Sequence, residues 1–235
     1  MITIGDRPIL LHVMEIYAHY GIVDFIICLG YKGHMIKEYF ANFMLYSANA
    51  VEFDMARNAV RYEHVISRSW KVTLVETGEE TQTGGRIKRV KPWLENDEAF
   101  CLTYGDGLAD INIDALIQHH RAHGTYATVT TVAPPGRFGA IQLEDGKVTR
   151  FVEKPDSDSQ VINGGFFVLS PKIFGYITGD HSTWEREPLQ RLAAEGQLSA
   201  FPHNGYWQPM DTIRERELLE AQWASGQAPW RHDRG

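Results

Sequence analysis

An aspartate held between two glycines at the end of an apolar run is the residue of this chain best suited to chemistry. Asp106 follows the run 99–103 and Tyr104, with Gly105 and Gly107 on either side. Such a run predicts a buried parallel strand, and open α/β sheets bind their ligands where these strands end. Because neither neighbour carries a side chain, the carboxylate can approach a phosphate or a metal ion closely. The alternative is an ordinary Gly-Asp-Gly turn.

A second carboxylate, Asp211, lies in the segment Trp207-Gln208-Pro209-Met210-Asp211-Thr212, just before a predicted final helix. Its ordinary interpretation is a helix N-cap. It becomes a candidate ligand because Asp106 needs a second acid to hold Mg²⁺ beside phosphates. The two acids lie far apart in the sequence, so only the fold can bring them together.

A loop rich in hydroxyls and glycine, Thr81-Gln82-Thr83-Gly84-Gly85-Arg86, runs into a predicted helix. Backbone N–H groups at such a position can bind a phosphate or a base edge, and Arg86 can add a bidentate contact. The loop lacks the Walker pattern, and a plain surface loop is the alternative interpretation.

Two later segments offer groups for a sugar phosphate. Glu153 and Lys154 end a predicted strand, and a lysine there can hold a phosphate as a point charge. Asn163 and Gly164 combine a side-chain amide with bare backbone, which suits the hydroxyls of a sugar. A solvated strand end and a turn or bulge are the respective structural alternatives.

The elements that must position these segments follow from the hydrophobic periodicity, which predicts one mixed α/β domain over residues 1–235 with a β-rich C-terminal portion. The predicted helices are 8–20, 34–44, 86–94, 112–123 and 212–224, with two more starting at Pro171 and Pro188. The predicted strands are 23–29, 51–54, 60–64, 71–76, one at Phe100, 126–132, 140–143, 148–153, 166–169 and 198–201.

Composition excludes several classes of protein. The net charge is −7 and no basic block stands out, which argues against a nucleic-acid partner. No apolar stretch approaches the ~20 residues of a membrane span, and no signal-peptide pattern opens the chain, so we expect a cytoplasmic protein. Cys28 and Cys101 lie in apolar runs and are expected to be buried free thiols. His119 and His123 share a helix face, but no third metal ligand accompanies them.

Taken in order, these segments resemble the sugar-phosphate nucleotidyltransferases over nearly the whole chain. The matching segments are 4–10, 28–33, 70–78, 83–86, 103–107, 135–139, 153–155, 163–167 and 207–212. The Trp-Gln-Pro-Met-Asp-Thr and Thr-Gly-Gly-Arg segments are specific to the cytidylyltransferase branch of that family. The Gly-Asp-Gly and Glu-Lys-Pro segments are shared more widely.

The resemblance implies a Rossmann-like nucleotidyltransferase domain with a mixed, mostly parallel central sheet, in a homo-oligomer. It implies that CTP and α-D-glucose 1-phosphate react with Mg²⁺ to give CDP-glucose and pyrophosphate, usually for bacterial surface polysaccharide. The implied roles are Mg²⁺ binding and catalysis for Asp106 and Asp211, sugar-phosphate binding in catalysis for Lys154, hexose contacts for Glu153, Asn163 and Gly164, and a cytidine pocket for Thr81, Gly85, Arg86 and Gly105.

The chain departs from the family at its start. The family opens with a strand and a Gly-Gly-x-Gly-Thr-Arg-Leu loop, neither of which occurs in these 235 residues. We therefore expect a gap or an open strand edge in the sheet, and little or no turnover by these 235 residues. The alternatives are a non-catalytic nucleotide-sugar binding module and a uridylyl- or thymidylyltransferase of the same family.

Overall fold

The structure is a computed structural model that describes residues 1–63, 68–133, 140–144, 147–152 and 161–232, with the backbone alone for 140–144 and 147–152. In chain order its elements are β1 (Thr3–Ile4), β2 (Arg7–Pro8), α1 (Ile9–His19), β3 (Asp24–Leu29), α2 (Gly33–Ala41), α3 (Phe43–Ser47), β4 (Ala50–Asp54), β5 (Ala59–Glu63), β6 (Lys71–Glu76), α4 (Thr83–Arg89), α5 (Lys91–Leu94), β7 (Phe100–Thr103), β8 (Gly107–Ala109), α6 (Ile113–His123), β9 (Ala127–Val132), β10 (Ala140–Glu144), β11 (Lys147–Val152), β12 (Ile162–Leu169), a 3₁₀ helix (Pro171–Tyr176), α7 (Glu187–Ala194), β13 (Leu198–His203), β14 (Trp207–Pro209) and α8 (Ile213–Ala224).

The mixed α/β class predicted from the sequence is confirmed. Strand β3 runs parallel to β6, and β13 runs parallel to β9. Strand β12 runs antiparallel to both of its neighbours, β9 and β7, in a sheet of order β13-β9-β12-β7. This sheet therefore has fewer parallel pairs than the sequence led us to expect.

The two sides of strand β12 face two separate cores. Because side chains alternate along a strand, Phe166 and Val168 pack with α1, α6 and α8, whereas Phe167 and Leu169 pack with the 3₁₀ helix and Trp184. All five side chains are almost completely buried. Strand β12 is thus fixed from both faces, and its N-terminal end carries the predicted sugar-binding residues.

The predicted helix 86–94 differs from the structure in two ways. Helix α4 begins at Thr83, so three residues of the predicted loop are helical. The helix then ends at Arg89, and α5 starts separately with Pro92 in its first turn. Proline has no N–H to continue an α-helix, which accounts for the break. The glycines that suggested a loop are helical because their backbone packs tightly against residues 180–182.

The expected open edge in the sheet is present. Among the described residues, β3 pairs only with β6 and β7 pairs only with β12. Their other edges line one cavity of about 1190 Å³. The cavity separates the β3–β6 pair from the four-stranded sheet.

Both cysteines are free, as predicted, but each is half-buried. Burial raises the pKa of the Cys28 thiol to about 11 and that of Cys101 to about 12, so both stay protonated at neutral pH. In the part of the chain that the structure describes, no helix has the length and apolarity needed to cross a bilayer.

Candidate active site

A short antiparallel ladder brings the two predicted acids together. Strand β8 pairs with β14 so that Gly107 lies opposite Pro209, and the backbone N–H of Met210 donates to the carbonyl of Asp106 at 2.9 Å. Asp106 precedes β8 and Asp211 follows β14, so the two carboxylates stand at the same end of this ladder. Both line one cavity of about 200 Å³.

Asp211 is not the N-cap of the last helix, so that interpretation is wrong. Thr212 caps α8: its hydroxyl accepts from the N–H of Glu215, and the Glu215 carboxylate accepts from the N–H of Thr212. The same carboxylate accepts from the N–H of Asp211 at 2.8 Å. The capping box satisfies the helix start without the Asp211 carboxylate.

The electrostatics of this pair suit a bound cation. Partial desolvation raises the pKa of the Asp106 carboxyl, and the negative charge of Asp211 raises it further. A divalent ion between the two would relieve both effects. Across the described ranges, no group of three or more His, Cys, Asp and Glu could hold a metal. Two hard carboxylate oxygens therefore fit an ion that takes its other ligands from phosphates and water.

The predicted sugar-binding residues line the same small cavity. Asn163 and Gly164 lie where β12 shifts register against β9, so the bulge interpretation was correct about the backbone. The indole Nε1 of Trp207 donates to the carbonyl of Gly164 at 2.8 Å. A Cβ added to Gly164 would lie 2.9 Å from Val132. Glycine therefore lets β12 and β9 approach each other, and the Trp207 hydrogen bond joins this segment to β14, the strand that precedes Asp211.

The predicted nucleotide-binding loop packs against residues 180–182 and forms hydrogen bonds with them. Thr81 is buried, and its methyl carbon would lie 2.7 Å from a Cβ added to Gly85. The N–H of Gly85 donates to the carbonyl of Ser182, and the N–H of Gln82 donates to the carbonyl of Asp180. These two backbone donors are thus occupied, and a contact of Thr81 or Gly85 with a nucleotide stays a prediction.

Arg86 joins helix α4 to the ends of β3 and β6. Its guanidinium donates to the carbonyl of Leu29 at 3.1 Å, the hydroxyl of Thr77 at 2.7 Å and the carbonyl of Glu79 at 3.2 Å. Arginine has five N–H donors, so part of the fork remains for a ligand. The predicted role in the cytidine pocket remains a prediction beside this structural role.

Arg86→Lys is expected to lower the free energy of unfolding by about 1–3 kcal/mol, because one ammonium cannot replace a planar fork that serves three acceptors. Urea denaturation of the parent and the variant measures this change. Arg57→Lys, an exposed site in the β4–β5 turn, is the matched control and should unfold like the parent. Equal stability of the Arg86 variant would show that the three bonds contribute nothing.

The predicted site residues therefore divide into four groups. Asp106, Asp211, Asn163 and Gly164 line the small cavity. Arg86, Gly105 and Asp106 line the large one, so Asp106 stands where the two meet. Thr81 and Gly85 belong to the loop packed against residues 180–182. Glu153 and Lys154 lie outside the described residues.

Sequence reasoning missed two side chains that line the small cavity and a third that contacts one of them. Tyr104 and Trp207 lie inside the matching segments, and Tyr104 touches both cavities, but neither received a role. Glu185 hydrogen-bonds to Tyr104 and belongs to none of those segments. Only the packing of residues 180–186 against α4 brings this acid to the site.

The fold and the acids at its strand ends are those of an α/β protein that handles phosphorylated ligands. The family model for nucleotidyl transferases matches residues 1–223, and the chain belongs to that family.

Comparison with individual proteins points to one branch of the family. The chain is 53% identical to the glucose-1-phosphate cytidylyltransferase of Salmonella typhi, over 98% of this chain and 90% of that protein. It is 44% identical to a probable glucose-1-phosphate cytidylyltransferase of Bacillus subtilis, over 97% and 89% of the two chains. Among solved structures, HddC of Yersinia pseudotuberculosis matches with a TM-score of 0.66 at 20% identity, over 95% and 88%. This last likeness shows the shared fold.

Proposed function

We propose that this protein transfers a cytidylyl group from CTP to α-D-glucose 1-phosphate, giving CDP-glucose and pyrophosphate. The observation that carries the proposal is the meeting of Asp106 and Asp211, distant in sequence, in one cavity with Asn163 and Gly164. The 53% identity to a glucose-1-phosphate cytidylyltransferase supports the choice of substrates.

The reaction needs alignment more than proton transfer. A phosphate oxygen of glucose 1-phosphate attacks the α-phosphorus of CTP, and the bond from that phosphorus to the β-phosphate oxygen breaks as pyrophosphate leaves. The attacking phosphate is already an anion, so no general base is required. What the protein supplies is positioning and neutralisation of the charge that develops at the α-phosphate.

Asp106 and Asp211 are proposed to hold Mg²⁺ beside the nucleotide phosphates. When bound, the ion would draw charge from the α-phosphate and fix the triphosphate. In this proposal the two carboxylates orient the ion, and Asp106, which lines both cavities, would hold it between the sugar and the nucleotide.

The remaining roles follow the same division of the site. Asn163 and Gly164 are proposed to contact the hexose, together with Glu153, and Lys154 to bind the sugar phosphate. Thr81, Gly85, Arg86 and Gly105 are proposed to form the cytidine side.

The function is tested by incubating the protein with glucose 1-phosphate and each of the four nucleoside triphosphates in turn, and measuring the release of pyrophosphate. We expect CTP to be the preferred triphosphate. Calorimetry should show CDP-glucose binding in preference to UDP-glucose. Mannose 1-phosphate is the control acceptor.

Other outcomes would select the alternatives. A preference for UTP or dTTP would favour a uridylyl- or thymidylyltransferase. CDP-glucose binding without turnover of any triphosphate would favour a binding module.

The chain is further proposed to form a single domain and to assemble into a homo-oligomer. We place it in the cytoplasm, where nucleoside triphosphates are available. Exposed apolar side chains on the turn before α2, on α2, on α3 and on the β4–β5 hairpin support self-association. These are Tyr31, Met35, Met44, Leu45, Tyr46, Phe53, Met55, Val60 and Tyr62. Light scattering of the purified chain measures the molar mass, and a monomer at all concentrations would contradict this part of the proposal.

A further inference from the structure

We propose that Glu185 is a positioning residue which, through the hydroxyl of Tyr104, sets the orientation of the Asn163 side-chain amide. The inference rests on the proposed function, in which Asn163 contacts the hexose. Glu185 itself lies in the segment before α7 and lines neither cavity.

The Glu185 carboxylate is held at both oxygens. The hydroxyl of Tyr104 donates to Oε1 at 2.5 Å, and the hydroxyl of Thr83 donates to Oε2 at 2.7 Å. The oxygen of Thr83 also accepts from the backbone N–H of Trp184 at 2.9 Å. The carboxylate is therefore fixed between the start of α4 and the residue that follows β7.

The carboxylate decides where the Tyr104 proton points. A carboxylate only accepts, so the tyrosine must donate to it, and its oxygen is left to accept from elsewhere. The Nδ2 of Asn163 donates to that oxygen at 3.2 Å. Burial is the main cause of a raised pKa for Tyr104, and the hydrogen bond to Glu185 is the second cause, so the hydroxyl keeps its proton.

The amide of Asn163 is thereby fixed at both ends. Its Oδ1 accepts from the N–H of Gly165 at 2.8 Å, while its Nδ2 faces Tyr104. One N–H and one oxygen lone pair of the amide remain for a ligand, and the positions of this donor and this acceptor are fixed. A turned amide would present the opposite pattern to the sugar hydroxyls.

The tyrosine ring is also held in place. It meets Phe167 edge to face, with ring centroids 6.0 Å apart. A Cβ added to Gly165, whose φ is +80°, would lie 2.7 Å from the ring. Glycine at this position lets the ring lie over the backbone, within reach of both Glu185 and Asn163.

The chain of hydrogen bonds from Glu185 through Tyr104 to Asn163, called the relay below, can be tested without any ligand. NMR detects the side-chain NH₂ resonances of Asn163, which are assigned by their loss in Asn163→Asp. Glu185→Gln gives residue 185 a donor as well as an acceptor and removes its charge, so the Tyr104 hydroxyl is no longer required to donate to it and the amide of Asn163 loses its fixed acceptor. We expect these resonances to shift or broaden in Glu185→Gln and in Tyr104→Phe. Glu187→Gln, an exposed acid on α7, is the matched control and should leave them unchanged.

Calorimetry with glucose 1-phosphate tests the consequence for the sugar. We expect about tenfold weaker binding in each variant, the equivalent of one hydrogen bond. The double variant Glu185→Gln/Tyr104→Phe should be no worse than Tyr104→Phe alone, because the carboxylate acts through the hydroxyl. Affinity for CTP should change less than that for the sugar phosphate.

The NMR and calorimetry results test the relay and its effect on sugar binding separately. Asn163 resonances unaltered by Glu185→Gln, or effects that multiply in the double variant, would overturn the relay. Shifted resonances with unchanged sugar-phosphate affinity would overturn its functional consequence. A parent chain that binds no glucose 1-phosphate would refute the sugar site of the proposed function, and the resonances would still decide the relay.

Discussion

Asp106→Asn and Asp211→Asn are each expected to lower cation-dependent pyrophosphate release by about a hundredfold or more, since several kcal/mol of charge stabilisation depend on a correctly held metal. Each amide keeps the size of the side chain but removes one of the two negative charges that line the small cavity. Mn²⁺-dependent CTP binding by calorimetry is the second measurement, because it does not depend on turnover. Both variants should bind CTP with little response to the cation.

The control for this pair is Glu217→Gln, an exposed acid on α8. It changes the net charge by the same amount and should leave the cation response intact. An Asp106→Asn variant with parental cation-dependent binding would show that the metal, if one binds, is held elsewhere.

The same substitution has a pH-dependent effect on stability, and its sign follows from the raised pKa of Asp106. The folded state holds this proton more tightly than the unfolded state, so the carboxylate destabilises the fold once pH rises above both pKa values. Asp106→Asn should therefore melt at an equal or slightly higher temperature at pH 7. The gain is small because the side chain is exposed, and it should disappear below about pH 3. Cation binding by the parent should strengthen as pH rises through the ionisation of Asp106.

Gly85→Ala is expected to lower the free energy of unfolding by about 2–3 kcal/mol, whereas Gly105→Ala should leave it within about 0.5 kcal/mol. A Cβ on Gly85 would lie 2.6 Å from the Cα of Asp180, and backbone cannot give way as a side chain can. A Cβ on Gly105 would meet nothing within 4 Å. Both were predicted to bind the nucleotide, but only Gly85 has a tight packing reason to be glycine.

Urea denaturation and CDP-glucose calorimetry separate the two glycines. Gly105→Ala should fold like the parent and bind CDP-glucose more weakly, because a methyl group then stands beside Asp106 on the wall of the large cavity. Gly175→Ala, also in open space, is the control for both measurements. Parental stability of Gly85→Ala would contradict the packing argument, and parental affinity of Gly105→Ala would remove it from the cytidine side.

Elements with strong periodicity were predicted well, and short elements were not. The strand before Asp106 and the helix after Asn112 are bounded by a clear apolar run and a clear cap, and both lie where expected. Strand β8 has only three residues and no pattern of its own. It exists because β14 pairs with it, and that pairing is set by tertiary structure.

The candidate site was predicted in part for the same reason. Asp106 could be selected locally, since two flanking glycines and an apolar run are visible in the sequence. The role of Asp211 was ambiguous, because an acid before a helix is equally consistent with a cap, and only the capping box of Thr212 and Glu215 excludes that role. Glu185 had no local signal at all.

The sequence by itself determined which segments form strands and helices, and which residue types stand at their ends, because hydrophobic period and turn chemistry act over a few neighbouring residues. The tertiary structure decided which ends meet: the ladder of β8 with β14 joined two distant carboxylates, and the packing of residues 180–186 brought Glu185 to Tyr104. Such contacts join residues far apart in the chain. Their energy depends on distances in space that no local pattern encodes.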